Sequence, residues 1–180
     1  NVAQAARNFG VETLEAFFDA ALADKITRDY GLADAILAAN VMCHIADLQS
    51  VAEGIQRLLK LDGVLVFEDS YLGDMIAKTS YDQIYDEHVF IFSAVSVSNA
   101  FAPHGLELID AIPQPTHGGS MRYVLARAGR HPVSSNLARL FAAEKAQGLD
   151  RTEIFLKFKM NCEVSRRNLL DTLEEVKRKG

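Results

Sequence analysis

Cysteine is scarce in this sequence of 180 residues: Cys43 and Cys162 are the only two. Neither belongs to a C-x-x-C pair, so no zinc knuckle is expected within the span. Cys43 lies in an apolar run and reads as a small buried residue. The usage fits a reducing, cytoplasmic setting. No apolar run approaches the ~18 residues of a membrane-spanning helix, and no signal-peptide pattern opens the chain, so no membrane partner is expected. A basic stripe is also missing. With a net charge of −5 and a pI of about 5.5, no nucleic-acid partner is expected. The short tail Lys177-Arg178-Lys179 reads as a solvated helix end. There is no H-x-x-x-H or H-E-x-x-H, and His44, His88 and His117 are widely separated, so a metal-hydrolase centre is not expected. Internal repeats and low-complexity segments are absent. The chain opens at Asn1, without Met and in helical material, as a segment of a longer protein would.

What is present is an ordinary globular composition, 49% hydrophobic and 24% charged, long enough for one domain with a core or for one domain and part of another. A helix is expected to end at Asn8 before Gly10, then a short strand over Val11–Glu15 and a helix over Asp19–Tyr30 closed by Gly31. Asp34–Val41 reads as a strand buried on both faces. Asp47 can cap a helix carrying Leu48, Val51, Ile55, Leu58 and Leu59. Asp62-Gly63 marks a turn, and Val64–Phe67 a second buried strand. This α, β, α, β rhythm predicts a parallel sheet covered on both faces by helices, with ligands beyond the carboxyl ends of its strands. Those ends are Phe17-Phe18, Asn40–His44 and Glu68–Tyr71. Tyr81–His88 reads as helix or helix-like loop, and Ser93 as the cap of a helix through Phe101. Strands at Leu106–Ile112 and Met121–Ala126 are expected to pair antiparallel at a sheet edge. From Ser134 onward the pattern is helical. Asp150 and Glu153 resemble a capping box, and Ile154, Phe158, Cys162, Leu169, Leu173 and Val176 form a long stripe.

Four segments hold groups capable of chemistry. On a helix, Tyr81, Tyr85 and His88 would share one face, beside the carboxylate of Glu87. Such a set can move protons: imidazole titrates near neutrality, and a phenol can donate to an oxyanion. Taken alone, the octapeptide reads more readily as an amphipathic stripe with a histidine satisfied in the core. His44 follows a strand end, where ligands bind in this architecture; a surface loop residue is an equal reading. His117-Gly118-Gly119-Ser120 offers backbone N–H groups, although Gly-Gly before a strand is more often a tight turn. Arg122 can reach a phosphate, while an edge-strand arginine is usually solvated. His104 and His131 read as inert loop residues.

Together these segments resemble a known family. Asn40-Val41-Met42-Cys43-His44-Ile45 is similar to an N-V-x-x-H-I motif, Tyr85-Asp86-Glu87-His88 to Y-x-E-H, and His117-Gly118-Gly119-Ser120-Met121-Arg122 to H-G-G-S-x-R. All three belong to the class I sugar C-methyltransferases. The resemblance spans essentially the whole chain and points to bacterial NDP-hexose 3-C-methyltransferases acting on 4-keto sugars, the aminosugar enzyme of tetronitrose biosynthesis among them. It implies an α/β fold, part of a doubly wound Rossmann-like methyltransferase sheet, followed by helices leading into a C-terminal domain. Residues 1–130 would be the later part of the S-adenosylmethionine-binding domain, and 131–180 the helical start of the next. The family's glycine-rich loop, ribose-binding acid and zinc cysteines do not occur here. Zinc is therefore expected only in a domain outside the chain, with no metal held by these residues. By the resemblance, His88 would be the general base, removing a proton from the carbon next to the keto group of a nucleotide-linked keto-sugar. Tyr85 would bind the enolate oxygen or position the sugar, and Glu87 and His44 would support the site. Phe18 and Asn40 would line the adenosine pocket, while His117 and Arg122 would help hold the substrate. The alternatives are an O- or N-methyltransferase of the same fold and a non-catalytic α/β binding module.

Overall fold

A computed structural model describes residues 2–180; the expected helical character of Asn1 lies outside the described residues. The helices are α1 (Val2–Asn8), α2 (Ala20–Tyr30), α3 (Leu48–Leu58), α4 (Leu72–Lys78), α5 (Ala94–Phe101), α6 (Ser135–Gln147) and α7 (Thr152–Lys179). The strands are β1 (Ala33–Ala39), β2 (Leu59–Ser70), β3 (Leu106–Gln114) and β4 (Ser120–Arg127). They form one α/β sheet in the order β1-β2-β4-β3. Only β1 and β2 are parallel. The antiparallel pair expected from the sequence forms, but β4 lies between β2 and β3. Arg122 is therefore not on an edge strand, and only β3 ends the sheet on that side.

Local signals account for the element ends. Asp19, Asp47, Ser93 and Ser134 accept from backbone amides at the starts of α2, α3, α5 and α6, which satisfies amides that a helix leaves unpaired. The face of β2 carrying Leu65 and Phe67, both fully buried, packs into the main core with Ile55 of α3, Phe101 of α5 and Leu137 of α6. The Phe67 ring lies 4.9 Å from that of Tyr123 and 5.9 Å from that of Phe101. Burying one such side chain contributes about 1.5–3 kcal/mol. Gly54 lets α3 approach the chain before α2: a Cβ there would lie 2.9 Å from the Asp19 carbonyl oxygen.

Several expectations fail, each for a physical reason. Val11–Glu15 has no strand partner and runs as an exposed, irregular segment. The β1 strand, at the end of the sheet, is not buried on both faces among the described residues; Leu37 is 77% exposed. Asp62-Gly63 does not turn the chain. It lies inside β2, where the ladder with β1 jumps from the Ala33–Leu59 pair to the Ala35–Val64 pair. Of the two readings of Tyr81–His88, the helix-like loop is the one observed: a single 3-10 turn over Tyr81–Gln83 gives way to irregular chain. The carbonyls of Gln83 and Glu87 accept from histidine rings instead of from amides one helical turn on. Asp150 does not cap α7, whose cap position is Arg151 with no side-chain hydrogen bond. The apolar stripe of α7 is used only in its first half, where Ile154, Phe158 and Cys162 pack with Met75 and Ile76 of α4. Leu169, Leu173 and Val176 are exposed. No helix among the described residues is long and apolar enough to cross a membrane.

Candidate active site

Two short segments beyond the carboxyl ends of β1 and β2 build the site. The first leaves β1 through Asn40, whose φ of 52° is left-handed, a conformation asparagine tolerates better than most residues. It continues into a 3-10 turn, Met42–His44. The second segment, residues 81–90, is tied to the first by the amides of Val89 and Phe90, which donate to the Cys43 carbonyl at 2.9 and 3.1 Å. These backbone bonds bring the His44 and His88 rings to a centroid distance of 5.0 Å.

Hydrogen bonds define both imidazoles. His88 Nδ1 lies 2.8 Å from the Gln83 carbonyl, and His44 Nδ1 lies 2.7 Å from the Glu87 carbonyl. A carbonyl only accepts, so each Nδ1 carries a proton, and a neutral ring then has its lone pair on Nε2. His88 Nε2 is 2.8 Å from the Tyr85 hydroxyl, which is therefore the donor. The Tyr85 and His88 rings are 4.0 Å apart. Both histidines are half-buried and Tyr85 is exposed. His44, Asp86, Glu87 and Val89 line an open hollow of about 400 Å³. Of the two histidines, His44 lines this hollow, while the His88 Nε2 faces the exposed Tyr85 hydroxyl; an imidazole lone pair of fixed direction can remove a proton from a bound molecule.

Gln83 joins the site to the third motif. Its side-chain amide donates to the His117 carbonyl at 3.2 Å, and its side-chain oxygen accepts from Ser70 Oγ at 2.9 Å. His117 has a φ of 51° and is exposed. Arg122 is partly solvated, its side chain 44% exposed, and binds Glu68 at 2.9 Å, while Thr116 donates to the same carboxylate. Arg122, Glu68, Val66 and Leu37 line a separate open hollow of about 460 Å³ on the sheet face. Tyr81 makes no ring contact with Tyr85 or His88 among the described residues. Phe18 is half-buried against the core, with its ring beside Gly54. Asn40 is exposed at the β1 end.

Three residues gain a role that the sequence did not indicate. Gln83 is the hub just described. Asp69 is 1% exposed, and neither carboxylate oxygen has a hydrogen-bond partner of ordinary geometry among the described residues. Burial holds its pKa above the usual carboxylate range, against the opposing influence of the Cys43 thiol, the Cys43 and Met42 amides and the His44 charge. Its position directly after the apolar run of β2 was the available signal. Cys43, expected to be a small buried residue, is indeed 2% exposed. Burial, and then the neighbouring Asp69, push its thiol up to about 12.

Cys43 also overturns the expectation that metal ligands lie only outside this chain. Its sulfur and one ring nitrogen each of His44 and His88 all lie within 4.8 Å of one another, a group able to hold a metal ion. Sequence spacing concealed it because the second histidine arrives from a separate loop.

The family described as "Methyltransferase domain" matches residues 3–111, and that described as "C-methyltransferase C-terminal domain" matches residues 115–180. A curated relative, the C-methyltransferase NovU of Streptomyces niveus, is 31% identical over 177 residues, which cover 98% of this chain and 42% of the relative. The chain thus spans under half the length of that protein. Among solved structures, CalO1, a methyltransferase in calicheamicin biosynthesis with SAH bound, overlaps 66% of this chain and 34% of its own, with a TM-score of 0.49 and 13% identity. A SAM-dependent methyltransferase from Anabaena variabilis overlaps 65% of this chain and 58% of its own, with a TM-score of 0.48 and 14% identity.

Proposed function

The chain belongs to the methyltransferase-domain family, and on that premise we propose that it forms part of an enzyme that moves a methyl group from S-adenosylmethionine to carbon. The acceptor is the carbon next to the keto group of a nucleotide-linked 4-keto-deoxysugar, and His88 is the base. The observation that carries this reading is the His88 ring: Nδ1 is anchored on a backbone carbonyl and Nε2 holds a lone pair toward Tyr85. The name of the NovU relative and the family matched by residues 115–180 support carbon as the acceptor. Residues 1–130 are assigned to the cofactor-binding domain, and 131–180 to the start of the next.

Asn40, at the end of β1, and Phe18, in the irregular chain before α2, fit part of the cofactor. Asn40 offers an exposed, neutral amide on a turn beyond β1, and Phe18 offers a half-buried aromatic ring; together they suit a nucleoside's hydrogen-bonding edge and its flat face. Asn40 and Phe18 would hold it. When bound, S-adenosylmethionine supplies an electrophilic methyl on a sulfonium.

The chain's own residues make the acceptor carbon nucleophilic. Tyr85 turns its hydroxyl from His88 Nε2 to the keto oxygen. Nε2, now free, takes the proton from the adjacent carbon, and the electron pair moves into an enolate whose oxygen is hydrogen-bonded by Tyr85. The enolate carbon would form the new bond to the methyl as the methyl–sulfur bond breaks, its electron pair staying on sulfur in the departing thioether. The Gln83 carbonyl keeps the His88 ring oriented while it is charged. Glu87 and His44, at the open hollow, orient the sugar or pass the proton to solvent, and His117 and Arg122 help hold the substrate.

The test is His88→Asn in the enzyme containing this chain. Turnover is expected to fall by about 10²–10⁴-fold, with cofactor binding retained and deuterium wash-out from the acceptor carbon lost. Near-normal turnover would refute the base assignment. Methylation without wash-out in the parent enzyme would point to an oxygen or nitrogen nucleophile.

A further inference from the structure

We propose that Cys43, His44 and His88 form a site for a zinc-class divalent metal ion whose occupation competes with proton abstraction at His88. The competition rests on the reading of His88 as the base; the site itself does not.

Four observations converge. The three ligand atoms lie within 4.8 Å of one another, so drawing the widest pair to tetrahedral spacing around zinc takes about 1 Å of side-chain movement. One thiol and two imidazoles suit zinc or cobalt and are poor ligands for magnesium or calcium. Each imidazole donates its Nδ1 proton to a backbone carbonyl, the outer-shell arrangement that orients metal-bound histidines and leaves Nε2 to bind. Finally, Asp69, 1% exposed, sits beside the Cys43 thiol, which places a carboxylate behind the sulfur ligand as outer-shell support.

Access and stoichiometry are consistent with this. Cys43 forms the buried floor, and His44 borders the open hollow through which an ion can enter. Three protein ligands leave a fourth position for water. On binding, the thiol releases its proton to solvent and the sulfur–metal bond forms. Each Nε2 donates its lone pair, and Tyr85 gives up its hydrogen bond to His88. That lone pair cannot then accept a proton from substrate, so the metal-bound form is inactive.

The probe is cobalt(II) added to the full chain, followed by zinc. One equivalent is expected to give a thiolate-to-cobalt charge-transfer band that zinc removes. Cys43→Ser should abolish the band and Cys162→Ser should leave it. His44→Gln, at the exposed side of the site, should weaken cobalt binding by about 10–10²-fold or more, with circular dichroism reporting the fold of each variant. A missing band in the parent chain, or a band that survives Cys43→Ser, overturns the site. In the active enzyme, zinc should inhibit methyl transfer and a chelator should restore it; zinc-dependent activation, or undiminished turnover with zinc bound, overturns the competition. Normal turnover of His88→Asn beside an intact cobalt signature would instead remove the base assignment, so the two failures are separable.

Discussion

Replacing Glu144 should loosen the connection between the two family-matched segments. Glu144 is in α6 and is 2% exposed. Its carboxylate accepts from the Ala94 amide at 2.7 Å, the Val95 amide at 3.0 Å and the Tyr71 hydroxyl at 3.1 Å. A side chain from residues 115–180 thus closes the amino end of α5, which lies within residues 3–111. In Glu144→Ala the Ala94 amide and the Tyr71 hydroxyl, both buried, lose their acceptor, while Val95, 40% exposed, can turn to water. Each orphaned group costs about 1–3 kcal/mol, and the loss of a negative charge at a helix start adds about 0.3–1 kcal/mol. The total is about 2–7 kcal/mol. Glu144→Gln keeps the shape but has one acceptor oxygen for two amides, and should cost about 1–3 kcal/mol. Urea unfolding followed by circular dichroism measures both. A loss below about 1 kcal/mol for Glu144→Ala would refute the reasoning, as would equal losses for the two variants.

Other outcomes follow from single residues. Asp69→Asn should raise stability at neutral pH. Its folded pKa lies above the unfolded value of 3.8, so the native state holds the proton more tightly; the stability from protonated Asp69 is full below that value and is lost as pH rises through the folded one. The gain, read from urea midpoints, should vanish in acid. Gly119→Ala should lower stability by about 2–4 kcal/mol, because Gly119 has a φ of +138° and a Cβ there would lie 2.6 Å from Asp74 Cβ; a thermal melt tests this. Cys43, buried and with its thiol pushed up to about 12, should react with a disulfide reagent far more slowly in the folded chain than in urea.

The helix ends were legible because they depend on local bonds. Asp19, Asp47 and Ser93 cap, and Gly31, Gly105 and Gly148 close with positive φ, wherever the rest of the chain goes. The core faces of α3 and β2 were equally legible, since Val51, Ile55, Leu65 and Phe67 follow helical and strand periods. The burial of β1 was not, because an apolar run is the same text whether or not a neighbour covers it. Of the two readings of Tyr81–His88, helix or helix-like loop, the structure takes the second. There the Gln83 carbonyl accepts from His88, five residues on, and the Glu87 carbonyl from His44, far away in the sequence.

By itself, then, the sequence determined the α/β class, the caps, the core faces and which motifs carry titratable groups, since these follow from backbone geometry and from periods of a few residues. Only the tertiary structure decided that β4 enters between β2 and β3, that Cys43, His44 and His88 converge, and that each imidazole presents Nε2. The strand order rests on the ladders that β4 makes with β2 and β3, and the convergence on the Cys43 and Glu87 carbonyls meeting partners far away in the sequence, which no local pattern encodes.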